Sequence, residues 1–390
     1  MLNMLRKSLS LELENFLSFL KIRPTHKFTK SAFVQARMKI SPQVFKHLSQ
    51  TLINEFYTDN ELAIKTWKNF RLLAVDGSRI TLPITKELLA SYGETKNQTT
   101  TGIVQARCSV LYDLENNYVL DGELAPLSQG ERATAILHLS YCRKGDLIIY
   151  DRGYPSYDFI NYHITNNLDY VMRVKIGFSQ LTIDFEKNKK NSQVVAIYPG
   201  KNVKLSDKAY NKTSPIKVRL IRVELPKGQV EILMTSLLDI KTYPSNIFKA
   251  LYCKRWGVET YYDELKNKLK VEHFSGYSKQ SILQDFYAAL FISNVQTLIV
   301  SELEDEIREE NKQRKLDYKI NKNLSYGFLK NRVIELFFTE NPIEQPLNEL
   351  KQLFKENLIP IRPNRSFKRN SGNYRSRIKP KITKNQKDSI

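Results

Sequence analysis

Cysteine is scarce in this sequence and never paired. Cys108, Cys142 and Cys253 stand far apart with no C-x-x-C spacing, so neither a thiolate zinc site nor a disulfide framework is indicated, and a reducing cytoplasm suits the chain. The five histidines, His26, His47, His138, His163 and His273, show no ligand spacing. Each reads as structural or exposed, and any metal must therefore be held by oxygen. Long apolar runs are missing too. The opening "MLNMLRKSLSLELENFLSFLK" lacks the apolar core and small-residue cleavage site of a signal peptide. The most apolar later run, "FYAALFISNVQTLIV", is short and carries Ser293, Asn294, Gln296 and Thr297. It reads as a buried helix, not a membrane span.

Negative charge is in short supply. Against 61 Lys and Arg stand 41 Asp and Glu, a formal net charge of +20. Such an excess points to a polyanion, because each cation that neutralises a phosphate also releases condensed counterions. Nucleic acid leads and an anionic membrane surface comes second. A generally Lys-rich and Asn-rich composition with no particular partner gives the same number. With 41% hydrophobic residues, 21 Tyr and 19 Phe, the 390-residue chain is not disordered and is long enough for two or three domains.

Residues 1–68 read as a helical domain. Within them Thr29 signals one helix start, and Ser41 with Pro42 behind it signals another. The two helices, joined by a basic turn around Arg37 and Lys39, have the pattern of a DNA-binding helix-turn-helix or of an ordinary helical hairpin. From residue 69 the period changes. "RLLAVDGSRITL", "QARCSVLYDLE" and "NYVLDGELAP" read as three antiparallel strands, with Asn116 and Asn117 in the second turn. Strands "DLIIY" and "LDYVMRVKI" then alternate with helices. This order predicts an α/β chain with a ribonuclease H-like mixed sheet over residues 69–300. Residues 177–243 are expected to form an inserted β-rich subdomain, and 301–390 a helical C-terminal region. Its last thirty residues hold ten Arg or Lys against Asp388 alone, a disordered tail suited to a phosphate backbone.

One stretch, "YCKRWGVETYYDELK", fits neither a core helix nor a scattered surface helix. At roughly 100° per residue, Tyr252, Arg255, Glu259 and Lys266 fall within an arc of about 60°. An exposed face with an Arg and Glu pair four residues apart gives the same stripe. Phosphodiester chemistry needs divalent cations held by carboxylates, and two aspartates suit it by position. Asp76 ends the apolar strand "LLAV" before Gly77, and Asp151 ends "DLIIY" before Arg152 and Gly153. The first and fourth strands of a ribonuclease H-like sheet are neighbours, which would bring the two side by side. Glu259 supplies the third acid, with Asp263 as its rival. Asp121 reads as an edge turn, Asp113 as a hairpin cap, and Asp146 as the entry to its strand.

Here the sequence resembles a known family. Tyr252, Arg255, Glu259 and Lys266 match Y-x2-R-x3-E-x6-K, the signature of DDE transposases of the insertion-sequence-four group. "VDGSRITLP", "YDRGYPSYDF" and "SAFVQARMKISPQVF" resemble further blocks of that family, in order. The resemblance implies a cut-and-paste transposase. Asp76, Asp151 and Glu259 would be its catalytic and metal-binding triad, holding two Mg²⁺ or Mn²⁺ ions. Tyr252, Arg255 and Lys266 would grip DNA near the cleaved end, with Arg37 and Lys39 as further DNA contacts. The implied partners are double-stranded terminal inverted repeats, target DNA and a second subunit in a synaptic homodimer, with no membrane; the implied setting is the bacterial cytoplasm, at the nucleoid. A ribonuclease H-like nuclease, and a non-catalytic DNA-binding protein derived from a transposase, are the alternatives.

Overall fold

The structure is a computed structural model that describes residues 1–2, 8–19, 29–59, 64–97, 100–199, 215–225, 228–338 and 342–362. The basic tail from residue 363 onward therefore lies outside the described residues.

Three helices come first: α1 (Leu9–Phe19), α2 (Lys30–Arg37) and α3 (Gln43–Asp59). The start signals act as expected, since Thr29 Oγ1 accepts from the Ala32 amide and Ser41 Oγ from the Gln43 amide. Leu9 and Leu13 of α1 form a small cluster with Phe33 of α2, while α3 packs on the sheet. Ile53, Phe56 and Tyr57 of α3 pack against Leu73 and Val75 on one side of the sheet, while Phe45 joins the core on the other.

The sheet begins with β1 (Arg71–Leu82), followed by α4 (Lys86–Tyr92), β2 (Glu94–Asn97), β3 (Thr100–Asp113) and β4 (Val119–Pro126). After α5 (Glu131–His138) come β5 (Asp146–Tyr150), α6 (Tyr157–Thr165) and β6 (Asp169–Val174). Strand β1 runs antiparallel to β3 and parallel to β5, and β5 parallel to β6. The order β4-β3-β1-β5-β6 is the ribonuclease H-like core foreseen in the sequence.

Residues 177–243 are β-rich, as expected, and the structure adds where their strands go. They hold α7 (Gln180–Lys187), β7 (Ser192–Ile197), β8 (Ile216–Glu224) and β9 (Val230–Thr235), but these strands build no separate sheet. β9 pairs antiparallel with β6, β8 with β9 and β7 with β8, so the main sheet continues to nine strands among the described residues. The edge amides and carbonyls of β6 would otherwise need partners, and β9 supplies them.

The signature stretch is two helices in place of one, α8 (Ile247–Cys253) and α9 (Trp256–Asn267), joined at Lys254 and Arg255. Then comes α10 (Lys279–Glu310), followed by β10 (Tyr318–Ile320), α11 (Lys322–Phe338), α12 (Glu344–Glu356) and β11 (Leu358–Pro360). By length and composition α10 could cross a membrane, yet its apolar window is 78% buried inside the fold. The four polar residues that interrupt it are all used. Ser293 meets the Tyr261 hydroxyl, Gln296 donates to Ser325, and Thr297 donates to the Asn117 carbonyl. Asn294 both accepts from the Val119 amide and donates to its carbonyl, standing in for a ladder partner beside the register shift between β3 and β4.

Candidate active site

Strand alternation decides which side chains meet. In β1, Leu72 joins the core beneath α8, whereas Leu73 and Val75 face the opposite core. Leu147 and Ile149 of β5, Val171 of β6 and Leu233 of β9 share the side of Leu72. Counting in twos from these, Asp76, Asp151, Arg173 and Glu231 all fall on the face that α8 and α9 cover. The parallel register pairs Arg71 with Asp146 and Ala74 with Ile149; carried two residues further, it sets Asp76 level with Asp151.

Arg255 stands at the centre. Its Nη1 donates to Asp76 Oδ2 at 3.3 Å and its Nη2 to Glu259 Oε1 at 2.6 Å. The side chain is only 7% exposed. Tyr252, one turn earlier, donates its hydroxyl to Asp151 Oδ1 at 3.3 Å. Lys266 donates to Ser78 Oγ at 2.6 Å and the Arg79 carbonyl at 2.7 Å, just beyond Asp76 on β1. The four residues of the stripe thus line one face of the sheet, although the helix breaks at Arg255. The rival Asp263 is exposed and accepts from Asn267.

The two aspartates differ electrostatically. Burial, reinforced by the charges of Glu259 and Asp151, raises Asp76 to about 6 despite the Gly77 amide and Arg255. Burial pushes Asp151 the same way, but the Arg152 amide, Arg173 and Arg255 outweigh it and lower its pKa. Arg173 reaches Asp151 Oδ1 through Nε at 2.9 Å and Nη2 at 2.6 Å, and also holds Glu231. The sequence signal for this pair is two charges inside apolar strands at the parity of the acids.

Tyr262 is a second residue missed. Its buried hydroxyl donates to the Asp76 carbonyl at 2.6 Å and the Cys108 carbonyl at 3.0 Å, tying α9 to β1 and β3. Gly77 shows no crowding, since an added Cβ would come no closer than 3.8 Å to Arg107. At Gly153 it would meet Glu131 Oε2 at 2.8 Å.

Two expectations fail here. Arg37 is no surface cation: it is 2% exposed, with Nε on Gln284 at 2.9 Å, Nη1 on Ser275 at 2.6 Å and Nη2 on Asp285 at 3.2 Å. It fastens α2 to the start of α10, because a buried guanidinium must satisfy its donors within the fold. Lys39, two residues on, is exposed. Asp121 is no edge turn. It is buried, bonded to His138 Nδ1 at 2.6 Å and Lys46 at 2.9 Å, while His138 Nε2 meets Ser109 Oγ at 2.9 Å. Asp113 does cap its hairpin, accepting from the amides of Glu115 and Asn116, and Asp146 pairs with Arg71 at the strand entry.

Carboxylate oxygens are the donor set a hard divalent cation prefers. The coupled charges of Asp76, Glu259 and Asp151 are also those a cation would relieve. As placed, however, no three Asp, Glu, His or Cys side chains among the described residues converge closely enough to share an ion. Guanidinium groups of Arg255 and Arg173 occupy the facing oxygens.

Residues 67–295 match the family described as the transposase DDE domain, more than half of the chain. The chain belongs to this transposase DDE family. No curated protein matches it. Among solved structures it is similar to a cryo-EM structure of the piggyBac transposase synaptic complex with hairpin DNA, at 10% identity and a TM-score of 0.40. That similarity covers 81% of this chain and 64% of the other, so this DDE chain spans less than two thirds of that relative's length. A likeness of that size carries no functional argument.

Proposed function

We propose that this DDE family member is a cut-and-paste DNA transposase of the insertion-sequence-four type, working in the bacterial cytoplasm at the nucleoid. One observation carries the reading: Asp76 from β1 and Glu259 from α9 share Arg255, and Asp151 from the end of β5, held by Tyr252 and Arg173, lies on the same face of a ribonuclease H-like sheet, although the three are far apart in sequence. These three would hold two Mg²⁺ or Mn²⁺ ions, which when bound supply activation of the attacking oxygen and stabilisation of the leaving oxygen.

The protein's own groups do the rest. Arg255 and Lys266 form charge-assisted hydrogen bonds to backbone phosphates, and Tyr252 adds a hydroxyl contact or a stacking surface. Exposed Lys39 and the basic tail add non-specific affinity. The substrates are the terminal inverted repeats and target DNA, brought together by a homodimer.

Asp76→Ala should abolish Mg²⁺-dependent cleavage of a plasmid carrying the coding region with its flanking DNA, while leaving binding to that DNA intact. Unchanged cleavage would remove Asp76 from the site. Joining of a 3′-hydroxyl end to a second DNA separates a transposase from a nuclease that uses water alone.

A further inference from the structure

Arg255 holds the oxygens that the proposed function assigns to metal. Its Nη1 lies on Asp76 and its Nη2 on Glu259, so the guanidinium and a divalent ion compete for two of three ligands. Arg173 is different. It holds one acid of the triad, Asp151, but is anchored by Glu231 outside it, so its departure frees a single ligand. The displacement of Arg255 frees two together.

Arg255 is also poised to leave. Its Nε is buried without a hydrogen-bond partner, so the planar fork is not fully satisfied where it sits. The guanidinium lies 5.9 Å from the Tyr252 ring and 5.8 Å from the Trp256 ring, and Trp256 is 52% exposed. A swing along that exposed indole would bring the guanidinium toward solvent, where a phosphate can accept two parallel N–H groups as well as a carboxylate does. The residue sits at the junction of α8 and α9, outside the interior of either helix.

We infer that Arg255 is a displaceable counter-cation, which offsets the repulsion between Asp76 and Glu259 until a DNA phosphate draws it away and opens both carboxylates to metal. The inference rests on the triad being the metal site. Its consequence is a coupling: DNA tightens metal binding and, by linkage, metal tightens DNA binding by the same factor.

The test measures Mn²⁺ affinity of the full chain by electron paramagnetic resonance, with and without a duplex from the DNA flanking the coding region, subtracting uptake by the duplex alone. Wild type should gain about tenfold or more in Mn²⁺ affinity on adding DNA. Arg255→Gln should bind Mn²⁺ more tightly than wild type without DNA and lose most of that gain. Arg255→Lys, whose single ammonium cannot bridge both carboxylates, should fall between, and serves alone if the Gln variant does not fold. A DNA-dependent gain of full size in these variants would overturn the inference, as would weaker Mn²⁺ binding in the folded, DNA-free variants. Asp76→Asn separates the two levels. If it leaves Mn²⁺ affinity unchanged, the triad itself is wrong; if it abolishes binding while the Arg255 variants keep the coupling, only the counter-cation fails.

Discussion

Single residues here act by what they tie together. The Tyr262 hydroxyl joins carbonyls of two strands to the helix bearing Glu259, and nothing else in the sequence announces it, since an apolar residue would fill the same helix face. Tyr262→Phe should cost about 1–2 kcal/mol in urea unfolding, the worth of hydrogen bonds lost in a buried place. It should also lower the cleavage rate by letting Glu259 drift from Asp76. A variant as stable and as fast as wild type would reduce Tyr262 to a packing residue. The stripe of Tyr252, Arg255, Glu259 and Lys266 was legible beforehand because helical periodicity alone places side chains on a face. Arg37 departs from its expected role for a related reason: a basic residue in a turn looks the same in sequence whether it faces DNA or a buried Asp285 on a helix nearly 250 positions away.

Elements are locked to the sheet by buried polar contacts whose partners are remote in sequence. His163 of α6 is fully buried, with Nε2 on the Tyr150 hydroxyl of β5 at 2.8 Å and Nδ1 on the Phe159 carbonyl at 2.7 Å. Burial, only partly opposed by the Phe159 carbonyl, lowers its pKa to about 4. The unfolded chain takes up this proton near pH 6.5 and the folded chain does not, so the stability is intact above 6.5 and is lost as pH falls toward 4. Across that window wild type should lose more stability than His163→Gln, by on the order of 3 kcal/mol. Parallel pH profiles for the two in thermal melts would exclude His163 as the cause. Close packing gives a second element-scale test. A Cβ at Gly122 of β4 would lie 2.4 Å from Leu290 Cδ1 of α10. Gly122→Val should therefore destabilise by about 1–3 kcal/mol through overpacking, read as a lower urea midpoint. An unchanged midpoint would mean that α10 can shift at no cost.

For the whole molecule, charge bears on the proposed partner and topology on the site. If the chain binds DNA as proposed, the net +20 should make its affinity fall steeply with salt. Deleting residues 363–390, which carry nine of the 61 Lys and Arg, should weaken binding and flatten the plot of log affinity against log salt. An unchanged slope would place the tail off the DNA.

The alternation of strands and helices, the position of Asp151 at the end of β5 and the stripe on α8 and α9 follow local pattern, because side-chain period and turn chemistry act within a few residues. Asp76, expected to end its strand, instead lies inside β1, which runs on past it to Leu82 paired with β3. Tertiary structure decided the rest. Only the folded sheet shows that β7 to β9 extend it, since strand partners depend on edges left open elsewhere. Only packing distinguishes a buried Arg37 from an exposed Lys39, only the packing of α9 on β1 sets Arg255 between two acids, and only the pairing of β5 with β6 sets Arg173 against the third. Those contacts depend on distance in space, which no period along the chain encodes.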